Sequence, residues 1–198
     1  FQKPRFVSAS GNGALVIRGP CGEGPEDDDG LRIYCVRSAA GQTREVRVKG
    51  DLGVERVVAL SDGRVVILVP PRNGGTGQIT VVDGAKVTTN ALVLPAKPRA
   101  VVRELRRGMW LEGFEEREAG AIGGWVEAGG PVIGVRVAID GKVTAGEPRN
   151  NENGVIMSGR FALSQGEGGR AAESTDGGVT WKVFDMPEHD MAPGDADT

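Results

Sequence analysis

Short apolar runs separated by turn residues recur along the chain about every ten residues. Such runs, bounded by Gly, Pro, Asn and Asp, are typical of β-strands, and the periodicity of an amphipathic helix is missing almost everywhere. The runs form four groups of four candidate strands, which indicates an internal repeat of roughly 40 to 55 residues. The pattern predicts an all-β chain with four antiparallel four-stranded units, at about residues 1–50, 51–97, 98–147 and 148–187.

The turns between these runs carry a recurring dipeptide. Asp62-Gly63, Asp83-Gly84 and Asp140-Gly141 each lie between β-branched residues. Asp-Gly in this setting predicts a type I′ hairpin turn, which needs positive φ at both central positions. We therefore expect tight antiparallel hairpins within the second and third units.

One stretch departs from the strand pattern. Residues 98–107 carry Val101, Val102 and Leu105 among four arginines. We interpret this stretch as the connection between the second and third units, with one short helical turn as the alternative.

Composition narrows the class of protein. The chain has 32 glycines, 11 prolines and 5% aromatic residues among 198 residues, which favours many tight turns. A formal charge of −3 gives no basis for expecting a nucleic-acid partner, and no apolar run reaches the roughly 18 residues that a membrane-spanning helix needs. The last residues, 188–198, are acidic and small, and they predict a mobile tail.

Two cysteines, Cys21 and Cys35, lie in neighbouring apolar runs on either side of a polar loop. If these runs pair as antiparallel strands, the two sulfur atoms can face each other and form a disulfide, which implies an oxidising compartment. Two free buried thiols are the alternative. Because the sequence begins at Phe1, we expect a processed end or a boundary inside a longer protein.

The eight residues Ser174-Thr175-Asp176-Gly177-Gly178-Val179-Thr180-Trp181 contain the only extended motif in the chain. They match the Ser-x-Asp-x-Gly-x-Thr-Trp pattern of the Asp-box, or BNR repeat, at every defined position. The chain therefore resembles the Asp-box β-propellers, a superfamily that includes sialidases, sortilin-type receptors and photosystem assembly factors. The resemblance implies a β-propeller of about four blades, and since Asp-box propellers usually have six or more, part of a larger ring.

The resemblance also implies a structural role for five of these residues: Ser174, Asp176, Gly178, Thr180 and Trp181. Asp176 would accept backbone N–H bonds within the turn, Gly178 would supply an unusual backbone angle, and Trp181 would pack beneath the turn. This motif predicts a fold and leaves the activity open.

A sialidase-like hydrolase would need an arginine cluster, a tyrosine nucleophile with a glutamate partner, and an acidic residue. The only tyrosine, Tyr34, adjoins Cys35 in a predicted strand, and we interpret it as a packing residue beside the disulfide. The opening residues Phe1 to Phe6 also lack the Arg-Ile-Pro type signature of sialidase domains.

A possible ligand site combines aromatic and acidic residues of the third unit. Trp110 lies close to Glu112, Glu115 and Glu116, with Glu118 and Phe114 nearby. This set would suit a sugar that stacks on the ring while a carboxylic acid donates a proton. The alternative, which we favour, is a solvated strand end and loop.

Metal and cofactor chemistry has little support in the sequence. The acidic residues at positions 23 and 26–29 lack the ligand spacing of an EF-hand. The only histidine, His189, has no Cys or Ser partner nearby, and the glycine-rich segments lack the lysine and following helix of a phosphate loop. We expect no metal and no cofactor.

These observations together predict a non-catalytic binding or scaffolding module of a secreted, periplasmic or cell-envelope bacterial protein. The expected partner is a protein or a glycan, and the propeller ring would be completed either by more of a longer protein or by another chain. A sialidase-like glycoside hydrolase and an assembly factor for a membrane complex are the alternatives.

Overall fold

A computed structural model describes residues 5–9, 14–24, 27–28, 31–49, 55–72, 75–111, 113–150, 155–158, 160–165 and 170–186. The predicted tail, including His189, lies outside these residues, as does Glu112. The described chain forms four antiparallel β-sheets, each built from consecutive strands, and one α-helix. The all-β, propeller-like prediction is therefore confirmed.

The first sheet contains β1 (Arg5–Ala9), β2 (Leu15–Arg18), β3 (Asp27–Asp28), β4 (Leu31–Arg37) and β5 (Thr43–Lys49). The second sheet contains β6 (Arg56–Ala59), β7 (Val65–Val69), β8 (Gln78–Asp83) and β9 (Lys86–Ala91). After helix α1 (Arg99–Arg107), the third sheet contains β10 (Met109–Trp110), β11 (Glu115–Glu118), β12 (Ala121–Glu127), β13 (Pro131–Ala138), β14 (Val143–Ala145) and β15 (Arg149–Asn150). The fourth sheet contains β16 (Val155–Ser158), β17 (Phe161–Gln165), β18 (Arg170–Ser174) and β19 (Lys182–Asp185).

Two details of this architecture correct the sequence-based expectation. The first and third sheets have more than four strands, because short strands of two residues pair at their edges. Residues 99–107 form a helix of nine residues, whereas we expected an irregular connection. The apolar residues at i and i+4, Val101 and Leu105, are both buried, and this packing stabilises a helix too short to be stable alone.

Three hairpin turns share one geometry. The turns lie at residues 38–42, 60–64 and 138–142. In each turn the N–H of the fourth residue donates to the carbonyl of the first, and the N–H of the first donates to the carbonyl of the fifth. The fourth residue is glycine with positive φ in all three: Gly41, Gly63 and Gly141. This is a type I turn followed by a G1 bulge, so the type I′ prediction for Asp62-Gly63 and Asp140-Gly141 is wrong. The aspartates instead accept the N–H bonds of Arg64 and Lys142, two residues ahead.

Successive sheets pack face to face through shared hydrophobic clusters. Strand β7, Val-Val-Ile-Leu-Val, is buried at every position. Val65, Ile67 and Val69 face the first sheet, while Val66 and Leu68 face the third sheet and α1. A strand covered on both faces needs a continuous apolar run rather than an alternating one, and this explains why β7 is the most apolar strand.

A smaller cluster joins the third sheet to the fourth. It contains Trp125 and Val132 of the third sheet and Ala162 of the fourth, with Val155 and Trp181 packed against them. The four sheets are thus connected in chain order by three clusters.

Cys21 and Cys35 form a disulfide, as predicted, with their Cα atoms 4.8 Å apart. Cys35 lies in β4 opposite Ile17 of β2. No helix in the described part of the chain is long and apolar enough to cross a membrane.

Candidate functional site

A cavity in the described part of the chain lies beside helix α1. It has a volume of about 940 Å³ and is open to solvent. Five arginines line it: Arg72, Arg99, Arg103, Arg106 and Arg107. The rest of the described wall comes from Pro70, Pro71, Val102, Gly108, Met109 and Trp110, so the described lining contains no acidic side chain.

The periodicity of α1 places these arginines. Val101 and Leu105 are buried against the cluster between the second and third sheets. Residues 99, 103, 106 and 107 therefore fall on the opposite, exposed side of the helix. Arg106 and Arg107 also lie in the last helical turn, where positive charge interacts favourably with the helix dipole. One amphipathic helix thus presents four cations to one cavity.

The C-terminal end of α1 is fixed to the third sheet. Trp110 Nε1 donates a hydrogen bond of 3.0 Å to the Leu105 carbonyl, and the Trp110 ring stacks on Phe114 with centroids 5.7 Å apart. Gly108 lies so close to the sheet that a Cβ atom there would come within 2.6 Å of Val126 Cγ1. This close approach holds the arginine-bearing helix in one position against the sheet.

A second cavity of about 450 Å³ adjoins the first. The two cavities share Pro71, Val102 and Arg106 in their walls. Leu92, Leu94 and Pro95 are among the lining residues of the second cavity. A ligand that spans both cavities would therefore contact the arginines of α1 and also these three residues.

The wall of the cavity is strongly positive, whereas the chain as a whole is slightly negative. The protein carries a formal charge of −3, yet five guanidinium groups line one concave surface. Arg103 pairs with Glu104, with Nε and Oε1 2.9 Å apart. Clustered cations in a cleft raise the local concentration of anions, and guanidinium groups bind carboxylates through paired N–H bonds. The arrangement is suited to binding an anionic ligand.

The described residues of the predicted sugar site, Trp110, Glu115 and Glu116, each contact other groups of the protein. Trp110 is only 3% exposed, so its ring faces are unavailable for stacking on a ligand. Glu115 pairs with Arg117 at 2.8 Å, and Glu116 Oε2 accepts the Ser61 N–H at 2.6 Å. Glu112 lies outside the described residues. Glu116 thus connects β11 to the 60–64 turn of the second sheet, whereas Glu115 pairs within β11 itself.

The Ser174–Trp181 turn contains a dense hydrogen-bond network, and the Gly177 N–H also donates to the Arg160 carbonyl at 2.7 Å. Asp176 Oδ1 accepts the N–H bonds of Val179 and Thr180 at 3.0 and 2.8 Å, and its Oδ2 accepts the Thr180 hydroxyl at 2.7 Å. The Ser174 hydroxyl donates to Asp176 at 2.8 Å and accepts the Gly178 N–H at 2.8 Å. Trp181 Nε1 donates to the Gly178 carbonyl at 3.1 Å. Burial alone would raise the pKa of Asp176, but these bonds hold it below its ordinary value.

This turn docks onto the third sheet through glycines. A Cβ atom added at Gly134 would collide with the backbone of Gly177, one at Gly146 with the backbone of Gly178, and one at Gly178 with the Trp125 ring. Trp125 and Trp181 are tilted neighbours with ring centroids 6.1 Å apart, and the Arg149 guanidinium lies 5.0 Å from the Trp181 ring centre. The turn therefore fastens the fourth sheet to the third.

Arg117 completes this junction. Its side chain is 7% exposed and its Nε lies 3.4 Å from the position that a Cβ atom would take at Gly177. Burial lowers the pKa of Arg117, and the charge of Glu115 partly opposes that effect. The Arg117–Glu115 pair thus belongs to the packing between the third and fourth sheets.

Two further predicted residues have structural positions. Tyr34 is 3% exposed and packs into the cluster between the first and second sheets. Cys35 follows it and projects to the opposite face of β4, so Tyr34 does not pack beside the disulfide as we expected. Asp27 and Asp28, which we predicted to lie in a loop, pair with β4 as a short strand.

The arginine cavity was missed by the sequence analysis. The four arginines of residues 98–107 were recognised as a group, but they were treated as part of a connection. The i, i+4 spacing of Val101 and Leu105 was the available signal, since it places the arginines together on the opposite side of a helix. Arg72 joins them only through the folding of the second sheet, which the sequence pattern does not encode.

Comparisons with known proteins identify no family for this chain. No family model and no curated protein matches it. Among solved structures, one described as YCF48 bound to D1 peptide is similar at 14% sequence identity and a TM-score of 0.40. The match covers 91% of this chain and 52% of that one, so the chain spans about half the length of that structure.

Proposed function

We propose that this chain is a non-catalytic binding module that holds an acidic segment of a partner protein in the arginine-lined cavity beside α1. The observation that carries the proposal is the convergence of five arginines on one cavity whose described wall has no acidic residue. Charge-assisted hydrogen bonds to carboxylates are the strongest polar contacts such a wall can make.

The shape and lining of the two cavities favour a polypeptide over a glycan. The second cavity adds backbone and polar groups of residues 75–77 as well as Leu94 and Pro95 beside the arginines, and such a mixed lining suits a peptide that carries both acidic and apolar side chains. A glycan site would use an exposed aromatic ring for stacking, and Trp110, the aromatic residue of this wall, is buried.

The hydrolase alternative has less support. A sialidase-like mechanism would require an accessible tyrosine nucleophile, and the single tyrosine of this chain is buried between two sheets. No described residue pairs a nucleophile with a base in the arginine cavity. A role in assembling a membrane complex is one form of the binding function proposed here.

The remaining parts of the proposal concern family, ring and compartment. The hydrogen-bond network of Ser174, Asp176, Thr180 and Trp181 supports assigning this turn as an Asp-box. The four sheets would then be blades of a propeller at about 1–50, 51–97, 98–147 and 148–187, except that β15 (Arg149–Asn150) pairs with the third sheet. The Cys21–Cys35 disulfide supports a secreted, periplasmic or envelope location.

A binding experiment with matched charge variants tests the function. The probe is a fluorescein-labelled peptide with alternating glutamate and leucine, titrated with the protein and followed by fluorescence anisotropy. The triple variant Arg99→Ala/Arg103→Ala/Arg106→Ala should weaken binding by at least about tenfold, since each charged hydrogen bond contributes about 1.5–3 kcal/mol. An uncharged peptide of alternating glutamine and leucine should bind far more weakly.

The control is a second triple variant with the same loss of charge elsewhere. Arg37, Arg47 and Arg170 are exposed and lie on the first and fourth sheets, and their replacement by alanine should change the affinity less than about twofold. Equal weakening by both triple variants would reject the cavity as the binding site, because it would mean that only net charge matters.

A further inference from the structure

Three of the arginines in the cavity wall lie on one side of helix α1 and form a row. Arg99, Arg103 and Arg107 follow one another at intervals of four residues, and all three are exposed. Side chains four residues apart lie one above the other along a helix, with a rise of about 6 Å between them. The row is therefore about 12 Å long, and we call these three residues the arginine ridge.

The cavity follows the arginine ridge over its full length. Its lining includes Arg99, the first residue of α1, and Arg107, the last, and it continues to Met109 and Trp110 beyond the helix. A ligand in this cavity can therefore lie parallel to the helix axis and contact all three guanidinium groups of the ridge.

The acidic residue of α1 leaves the arginine ridge available to a ligand. Glu104 lies outside the described lining of the cavity, and its Oε1 lies 2.9 Å from Arg103 Nε. The Arg103 side chain is 62% exposed, and exposed ion pairs of this kind contribute little stability. A guanidinium group also has two terminal nitrogen atoms that donate hydrogen bonds. A carboxylate from a ligand can therefore bind Arg103 in the presence of Glu104.

The spacing of the arginine ridge matches an extended peptide. In a β-strand, alternate side chains point to the same side and lie about 6.6–6.8 Å apart. Acidic side chains at three alternate positions therefore span about 13 Å, close to the length of the ridge. A helical ligand of that length would have only about eight residues, and isolated helices shorter than about 12–15 residues are marginal in water. An extended segment of five residues covers the ridge without this cost.

We propose that the arginine ridge selects an extended segment with acidic side chains at three alternate positions, one facing each of Arg99, Arg103 and Arg107. This inference rests on the proposed function and adds the sequence pattern that the site recognises. Because the three arginines are evenly spaced, the central acidic residue faces Arg103 in either direction of the ligand chain. The intervening side chains of the ligand point away from the ridge, so their identity matters less.

Peptides of equal composition and net charge test the spacing. Each has nine residues, namely three glutamates, three leucines and three serines, with a blocked C-terminus and fluorescein on the N-terminus. The glutamates are at the third, fifth and seventh positions in the alternating peptide, at the fourth, fifth and sixth in the contiguous peptide, and at the first, fifth and ninth in the widely spaced peptide. We expect fluorescence anisotropy to show that the alternating peptide binds at least about fivefold more tightly than either of the others, since an extended chain presents its three carboxylates together.

The outcomes separate this inference from the proposed function. Equal affinities for the three peptides, all weakened by Arg99→Ala/Arg103→Ala/Arg106→Ala, would overturn the selection of spacing and leave the proposed function intact. Tightest binding of the widely spaced peptide would indicate a helical ligand and would also overturn it. Absence of binding by all three peptides up to about 1 mM, or affinities that the triple variant does not change, would reject the proposed function together with this inference.

A double-mutant cycle locates the central contact. Replacing the fifth-position glutamate of the alternating peptide by glutamine should weaken its binding to the unaltered protein by at least about threefold. The same replacement should have almost no effect with the Arg103→Ala variant, because its partner is already removed, and should keep its effect with the matched variant Arg99→Ala. Alanine is a good helix former, and circular dichroism checks that both variants are folded. Equal effects of the glutamine replacement in the two variants would contradict the proposed alignment.

Discussion

At the scale of single residues, the Ser174–Trp181 turn shows how one carboxylate organises a loop. Asp176 accepts two backbone N–H bonds and two hydroxyl bonds, and the Gly177 N–H donates to the Arg160 carbonyl outside the segment. Its network makes the carbonyl edge of Gly177 and Gly178 a fixed surface that fits against the third sheet. The turn therefore contributes to packing between sheets as well as to its own hairpin.

Replacing Asp176 should destabilise the protein in a pH-dependent way. Because the pKa of Asp176 is lowered in the folded state, its contribution is present above the ordinary value of 3.8 and is lost as the pH falls through the folded-state pKa. Asp176→Asn should lower the free energy of unfolding at pH 7 by about 1–3 kcal/mol. Urea unfolding at pH 7 and at pH 3 should show the difference between the two proteins shrinking in acid. A difference that does not depend on pH would contradict this account.

A second residue-scale prediction concerns the glycines that receive the turn. Gly134→Ala should lower the free energy of unfolding by at least about 1–3 kcal/mol, since the added methyl group would collide with the Gly177 backbone. The control is Gly22→Ala, where no heavy atom lies within 4 Å and φ is not restricted to glycine. Thermal unfolding of both variants measures the difference, and equal stability would mean that the close approach is absent in solution.

At the scale of elements, helix α1 decides what the candidate site can bind. The strands were largely predictable because apolar runs and turn residues alternate along the chain, and the continuous apolar run of β7 is the clearest case. The helix was not predicted, because only two of its positions, Val101 and Leu105, are buried. With arginines at four other positions, its helical periodicity is weak in the sequence. Its stability comes from tertiary packing, which a local pattern does not report.

The packing of α1 gives an element-scale prediction. Leu105 is fully buried beneath the helix, so Leu105→Ala should lower the free energy of unfolding by about 2–5 kcal/mol. Val87→Ala, at a residue 42% exposed on β9, should change it by less than about 0.5 kcal/mol. Chemical denaturation compares the two variants. A small effect at Leu105 would mean that the helix is not held against the cluster as described.

At the scale of the whole molecule, the four sheets follow one another in sequence and in space. The sequence predicts this order because each unit carries its own strands and turns, and neighbouring sheets bury one another through clusters of Val, Ile and Leu. The arginine cavity is a product of that order, since Arg72 comes from the second sheet and the other four arginines come from the helix that follows it. A site whose residues come from two separate segments of the chain is not visible in any one sequence motif.

The most direct measurement of the central claim is hydrogen–deuterium exchange with and without the glutamate-leucine peptide. We predict slower exchange on binding in residues 99–107 and 75–77, whose amides lie in the helix and the loop beside the two cavities. Exchange in the fourth sheet should stay the same. Protection confined to another part of the molecule, with residues 99–107 unchanged, would contradict the claim that this cavity is the binding site.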